Sequence, residues 1–283
     1  MSKKSLVIGA NSFIGSNLIR LLQSSSTQVT GVYNSNKDRL PKDIRCVAVK
    51  QLEELEADFR DVYIIAAFIA SGQLDTNART RMFEANVSLV GDMCAKFKDS
   101  RIILCSSVSV YGAQPVVITE ESSKGGLNEY GVSKLWSEKI VSATDNFAIV
   151  RLPSVFGPAM NPNTIIPLYI RQALVQKEIT VYGEGERLQN YLHVKDAAGF
   201  LKAAADYQGN DEFLACAPRS ISNLELAQII AEETGCAIGF KGVDRSPSFS
   251  YDNSLTSKKL MYHPGISFRE GIKELIQWSK EKF

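Results

Sequence analysis

Apolar positions along this chain follow two alternating rhythms. Short runs that are apolar almost throughout read as strands: SLVIGA (5–10), VTGVY (29–33), CVAVK (46–50), DVYIIAA (61–67), RIILCSS (101–107) and FAIVRLP (147–153). Between them, apolar residues recur at helical spacing. Phe13, Ile14, Leu18, Ile19 and Leu22 form one stripe, and Phe83, Val87, Val90, Cys94 and Phe97 form another. Strands without a polar face need cover on both sides, and amphipathic helices between them supply it. The pattern predicts an α/β fold built on a doubly wound parallel sheet.

After Gly157 the rhythm loosens. GPAMNPN is loop-like, a helix is expected over 165–176, and ITVYGEGE (179–186) reads as a strand entering a turn. SNLE (222–225) is a capping box for a helix ending near Gly235, and SFRE (267–270) opens the last helix in the same way. The C-terminal third is therefore a smaller, mixed α/β part.

Composition acts mainly by exclusion. With 32 Lys and Arg against 31 Asp and Glu in 283 residues, the chain lacks the basic excess of a nucleic-acid binder. Its longest apolar run, 62–70, is far shorter than the ~20 residues of a membrane span. The charged lead and brief apolar segment of MSKKSLVIGANS suit a first buried strand better than a signal peptide. Five scattered cysteines (Cys46, Cys94, Cys105, Cys216 and Cys236) without a CxxC pair indicate reduced thiols in a cytoplasmic protein and suggest no metal site.

GANSFIG, from Gly9 through Asn11, Ser12, Phe13 and Ile14 to Gly15, lies between the first strand and the first helix. There the backbone N–H groups of a helix N-terminus can hold a dinucleotide's pyrophosphate. Ser12 replaces the middle glycine of the usual fingerprint. After the second strand, an acid would bind the ribose hydroxyls of NAD. Asn34 stands there instead, with Lys37 and Arg39 beyond, which favours the 2′-phosphate of NADP; Asp38 leaves NAD open.

Ser106 and Ser107 sit at the carboxyl end of a buried strand, where open parallel sheets place their active sites. In NEYGVSKLWSE, Tyr130 and Lys134 are four apart, hence on one helix face. An ammonium beside a phenol lowers the phenol's pKa. A serine to hold a carbonyl, a tyrosine to pass the proton and a lysine to tune it suit hydride transfer with a nicotinamide cofactor.

These motifs, in this order, resemble the extended short-chain dehydrogenase/reductases, specifically the NAD(P)-dependent nucleotide-sugar epimerase/dehydratase group, over nearly the whole chain. GANSFIG resembles its glycine loop. DVYIIAA is similar to the strand that leads to the cofactor's ribose, lined by Ala66 and Ala67. NVSLV from Asn86 resembles its central-helix motif, and SSVSVYG and YGVSK its serine and tyrosine–lysine motifs. The resemblance implies a Rossmann-type domain over 1–157 with a return segment near 188–216. A substrate part would comprise 158–187 and 217–283.

It also implies Ser107, Tyr130 and Lys134 as the catalytic residues. Gln51 and Leu52 would lie at the adenine, and Pro153 in RLPSVFGP beside the nicotinamide. Ser109, Ser154, Tyr182, Arg187 and Gln189 would lie along the nucleotide-sugar. His193 and Asp196 are expected to fix local structure. Dehydratases of the group carry Asp-Glu after the catalytic Thr. Val108 and Ser109 stand here, which disfavours dehydration, and the acid used by decarboxylases is missing too. Reduction of a 4-keto sugar nucleotide is favoured; 4-epimerisation with tightly held NAD is the alternative, and a non-catalytic dinucleotide-binding sensor or scaffold is a third. The resemblance further implies a homodimer paired through long helices at 73–98 and 129–145.

Overall fold

The computed structural model describes residues 3–34, 36–70, 74–114 and 117–282. The first half alternates as the apolar rhythm requires: β1 (Lys4–Ile8), α1 (Phe13–Ser24), β2 (Gln28–Tyr33), β3 (Arg45–Ala48), β4 (Asp61–Ile64), α2 (Thr76–Phe83), α3 (Leu89–Lys96), β5 (Arg101–Ser107), α4 (Glu129–Val141) and β6 (Phe147–Leu152). The second half runs β7 (Ser154–Phe156), α5 (Ile165–Arg171), β8 (Glu178–Tyr182), β9 (Leu188–Gln189), β10 (Tyr191–His193), α6 (Val194–Asp206), β11 (Asp211–Leu214), β12 (Ile221–Ser222), α7 (Asn223–Thr234), β13 (Ala237–Lys241), α8 (Ser254–Leu260) and α9 (Phe268–Lys280).

The main sheet has the order β11-β6-β5-β4-β1-β2-β3, with every neighbouring pair parallel. This is the doubly wound Rossmann-like arrangement, and the chain reverses direction across the sheet between β1 and β4. Strand alternation sorts the side chains into two cores. Val7, Tyr63, Ile103 and Val150 face α1 and α6, whereas Leu6, Ile8, Ile64, Leu104 and Ile149 face α3 and the end of α4. A third core, with Ile170, Val181, Ile230 and Ile276, holds α5, α7 and α9 against the paired strands β8 and β13.

Several elements end earlier than their hydrophobicity suggests. DVYIIAA leaves the ladder after Ile64, because Ile65 and Ala66 both donate to the Ile8 carbonyl. CVAVK ends at Ala48 and tightens into a 3₁₀ turn over Val49–Glu54. The long helix expected over 73–98, whose first residue lies outside the described residues, is α2 and α3 joined by a π-helical turn, Glu84–Ser88. The helix expected over 165–176 likewise closes in a π-turn, Gln172–Gln176, capped by Lys177 in the left-handed region. The Ser267 box forms in full. The Ser222 box forms only half: Glu225 N–H bonds the serine, but its carboxylate pairs with Arg219.

Candidate active site

The end of β1 turns sharply at Gly9, whose φ of +87° admits little but glycine. A Cβ there would meet Ala66 N at 2.6 Å, and one on Gly15 would meet the Gly9 carbonyl oxygen at 2.2 Å. Both glycines thus bring α1 and the end of β4 close around the point where the sheet reverses. Ser12 caps α1, its hydroxyl accepting from Gly15 N–H at 3.0 Å. The first-turn amides of Phe13 and Ile14 have no carbonyl within the helix to donate to. A glycine turn, a close strand and free helix-end amides fit a dinucleotide pyrophosphate, with Ser12 supplying a cap where the usual glycine supplies only space.

The other predicted cofactor residues are spread along the neighbouring edge. Asn34 follows β2 and is exposed. Asn11 Nδ2 donates to Asn36 at 3.2 Å. The Lys37 ammonium lies 5.0 Å from the Tyr33 ring centre. Arg39 lines a pocket on the flank of α1 with Phe13, Asn17 and Arg20. Gln51 lines a shallow recess beside β3. The Leu52 side chain is core, packed with Val32 and Ile8, so only its backbone can face a ligand.

At the far side of the same sheet edge, strand alternation separates the two serines. Ser106 points inward, its hydroxyl donating to Glu138 at 2.6 Å. Ser107 points outward, with its Oγ 2.9 Å from that of Ser109. Tyr130 stands in the first turn of α4, which Asn128 caps through Gly131 N–H at 2.8 Å. Ser107 and Tyr130 meet: the Ser107 side chain is the group acting to lower the phenol's pKa. Burial outweighs it and, with Cys105, pushes the phenol well above its ordinary value.

The depression expected from Lys134 is therefore not what the structure shows. Lys134 is itself buried, and that burial lowers its pKa against the pull of Cys105 and Glu138. Its Nζ donates at 2.7 Å to the Cys105 carbonyl oxygen, two residues before Ser107.

A pocket of about 370 Å³ opens beside these groups. Ser109, Pro153, Ser154 and Gln189 line it, with Asn128, Gly126, Phe249 and Tyr251. The lining holds hydroxyls and amides but neither a carboxylate nor an amine. Arg187 sits at its rim, bonded to the carbonyl of the lining residue Pro247 at 3.3 Å. Tyr182, at the end of β8, is exposed and is not among the lining residues. His193 and Asp196, expected to fix local structure, are both engaged in local contacts. Asp196 accepts from Tyr262, Gly265 and Ile266, and His193 Nδ1 accepts from Lys195 N–H.

A family model described as the NAD dependent epimerase/dehydratase family matches residues 5–215. This chain belongs to that family. Its relatives include a dTDP-glucose 4,6-dehydratase of an Actinoplanes species, 27% identical with 97% of each chain covered. A dTDP-4-dehydro-6-deoxy-D-allose reductase of a Streptomyces species is 22% identical over 96% of this chain and 95% of its own. Among solved structures, the UDP-glucuronic acid 4-epimerase of Bacillus cereus, in complex with UDP-glucuronic acid and NAD, superposes with a TM-score of 0.88 at 22% identity, covering 99% of this chain and 100% of that one. The epimerase/dehydratase family thus spans several reactions on nucleotide-linked sugars, and the fold is shared across them.

Sequence reasoning missed two things. The pocket wall formed by Phe249 and Tyr251 comes from a segment without periodic pattern, pinned where Ile118 bridges to Tyr251. A buried charge cluster around Glu138 and Arg151 also went unread. Its signals were an arginine inside an apolar strand and an acid four residues beyond Lys134.

Proposed function

We propose that this family member is an NADP(H)-dependent reductase of a 4-keto sugar nucleotide. The observation that carries the reading is an acid–base phenol, Tyr130, beside a pocket whose lining holds no carboxylate, amine or imidazole. Water elimination and decarboxylation need a further acid or base on the sugar, and the pocket lining offers no carboxylate, amine or imidazole for that task. Hydride transfer to a carbonyl needs only a proton donor and a group to hold the oxygen. The bound reduced nicotinamide supplies the hydride. Ser107 donates a hydrogen bond to the carbonyl oxygen, and the Tyr130 phenol delivers the proton that completes the alcohol. A phenol kept protonated by burial suits donation, the direction a reductase needs. Lys134, one turn further along the same face of α4, would balance the charge of that proton transfer. Asn34, Lys37 and Arg39 support the 2′-phosphorylated cofactor, and the glycine loop around Gly9 and Gly15 supports its pyrophosphate.

The nucleotide of the substrate would extend from the pocket toward Arg187 and Tyr182. We further propose a cytoplasmic homodimer, supported by five free thiols and by apolar side chains exposed on α2 and α4. No described helix is long and apolar enough to cross a membrane.

Purified protein consuming NADPH with a 4-keto-6-deoxy sugar nucleotide is the expected result. Tyr130→Phe should lower kcat by at least about 100-fold, the scale of a lost general acid, with cofactor affinity retained. Unchanged turnover in that variant removes Tyr130 from the mechanism. Protein that carries tightly bound NAD and interconverts two sugar nucleotides without consuming cofactor would instead establish a 4-epimerase.

A further inference from the structure

Glu138 lies one turn beyond Lys134 and two beyond Tyr130, on the same face of α4. It is 1% exposed and fully engaged. Oε1 accepts from Ser106 Oγ at 2.6 Å and Arg151 Nε at 2.9 Å; Oε2 accepts from Arg151 Nη2 at 2.9 Å. Arg151, on β6, is wholly buried, donates to the Tyr111 hydroxyl at 2.7 Å and also reaches Glu212 on β11. Lys124, in the segment before α4, lies 2.9 Å from Glu212 and 3.7 Å from Glu138.

Buried ion clusters do little for net stability, because desolvation offsets attraction and packed apolar residues serve as well. This one does something apolar residues cannot. Ser106 immediately precedes Ser107, and alternation forces the two to opposite faces, so holding Ser106 inward holds Ser107 outward. The Cys105 carbonyl takes the Lys134 ammonium. Two adjacent rungs, Lys134 to Cys105 and Glu138 to Ser106, therefore clamp α4 to β5 directly behind Ser107.

We propose that Glu138, held by Arg151, is a positioning residue that sets Lys134 and Tyr130 against Ser107. The proposal rests on the catalytic assignment of those three. The ionisable groups acting on Lys134 are Cys105 from β5 and Glu138 from α4; Tyr130 lies one turn before it on the same face of α4. Arg151, Lys124 and Glu212 stand behind Glu138. Among the described residues, Glu138 is the carboxylate that supports the Lys134 charge, acting against its burial.

The test uses the 283-residue chain with ¹³C-labelled lysine, the Lys134 signal being assigned by Lys134→Arg. In Glu138→Gln, Lys134 is expected to titrate at lower pH than in the wild type. The kcat should fall about 10- to 100-fold, as for a misplacement of the reacting groups, while KM stays within about 3-fold. Glu138→Asp, which keeps the charge, should return the Lys134 titration toward the wild type. A folded Gln variant with both kcat and Lys134 titration unchanged overturns the proposal. If Glu138→Gln does not fold, Ser106→Ala removes one rung without touching a charge; a kcat equal to the wild type's would then overturn it. Absence of turnover by the wild type itself refutes the functional reading separately, and the Lys134 titration still decides this one.

Discussion

Gly131 shows how tightly the start of α4 is packed against the loop after β5. It follows Tyr130 in α4, where alanine would ordinarily stabilise a helix by about 0.5–1 kcal/mol. Here a Cβ would meet the Ser109 carbonyl oxygen at 2.6 Å, a backbone atom that cannot swing aside. Overpacking of this kind costs roughly 1–3 kcal/mol, so it outweighs the propensity gain. Gly131→Ala is expected to lower the urea midpoint and to reduce kcat more than it changes cofactor affinity, because the first turn of α4 must move and Tyr130 moves with it. A raised midpoint with normal turnover would show that the contact yields. The three residues between Tyr130 and Lys134 thus have separate tasks. Gly131 permits close approach, Val132 faces outward, and Ser133 accepts from Asn86 at 3.0 Å. The Tyr–Lys spacing was legible in the sequence because it obeys helix periodicity. The reason for the glycine was not, since Ser109 lies over twenty residues away.

At the scale of elements, the π-turn between α2 and α3 is what joins the chain after β4 to α4. It turns Asn86 fully inward. Its side chain accepts from Phe68 N–H at 2.7 Å and donates to the Phe68 carbonyl at 3.0 Å and to Ser133; its own carbonyl accepts from Ser137. One amide therefore satisfies the chain just after β4 and fastens α4 beside it. Asn86→Ala leaves the Phe68 amide groups without this partner. At roughly 1–3 kcal/mol for a buried group stranded, and less for the part-buried Phe68 amide groups, the variant should show a lowered midpoint in chemical denaturation. Amide exchange should quicken first at residues 66–70 and in α4. Loss spread evenly over the sheet would mean that the turn is not a local fastener. The parallel strands and amphipathic helices were readable because burial on both faces leaves a continuous apolar run. The π-turn was not, because one inserted residue in a helix leaves most of the apolar stripe intact: Val87, Val90, Cys94 and Phe97 are buried, and only Phe83, before the turn, faces outward.

For the molecule as a whole, the helices beside the site also carry a cluster of exposed apolar side chains. Phe83 on α2 is 47% exposed, and Val132 and Trp136, one turn apart on α4, are 49% and 52% exposed. Phe83 and Trp136 already touch edge to face, with ring centres 5.5 Å apart, so the patch is a preformed ridge and not scattered residues. Arg79 and Glu129, bonded at 2.8 Å, give it a polar margin. Apolar centre and charged rim are the anatomy of a subunit interface, and two such helix pairs meeting about a two-fold axis would bury a self-complementary face. Sedimentation is expected to show a dimer at micromolar concentration, with a melting temperature that rises with protein concentration. Trp136→Glu together with Phe83→Ser should give a monomer whose melting temperature no longer depends on concentration. Val132, Trp136 and Tyr130 share one short helix, so the monomer should also turn over more slowly: freeing the outer face of α4 loosens the turn that presents the phenol. A double variant that stays dimeric places the interface elsewhere, and a wild type that is monomeric at every concentration removes the pairing altogether.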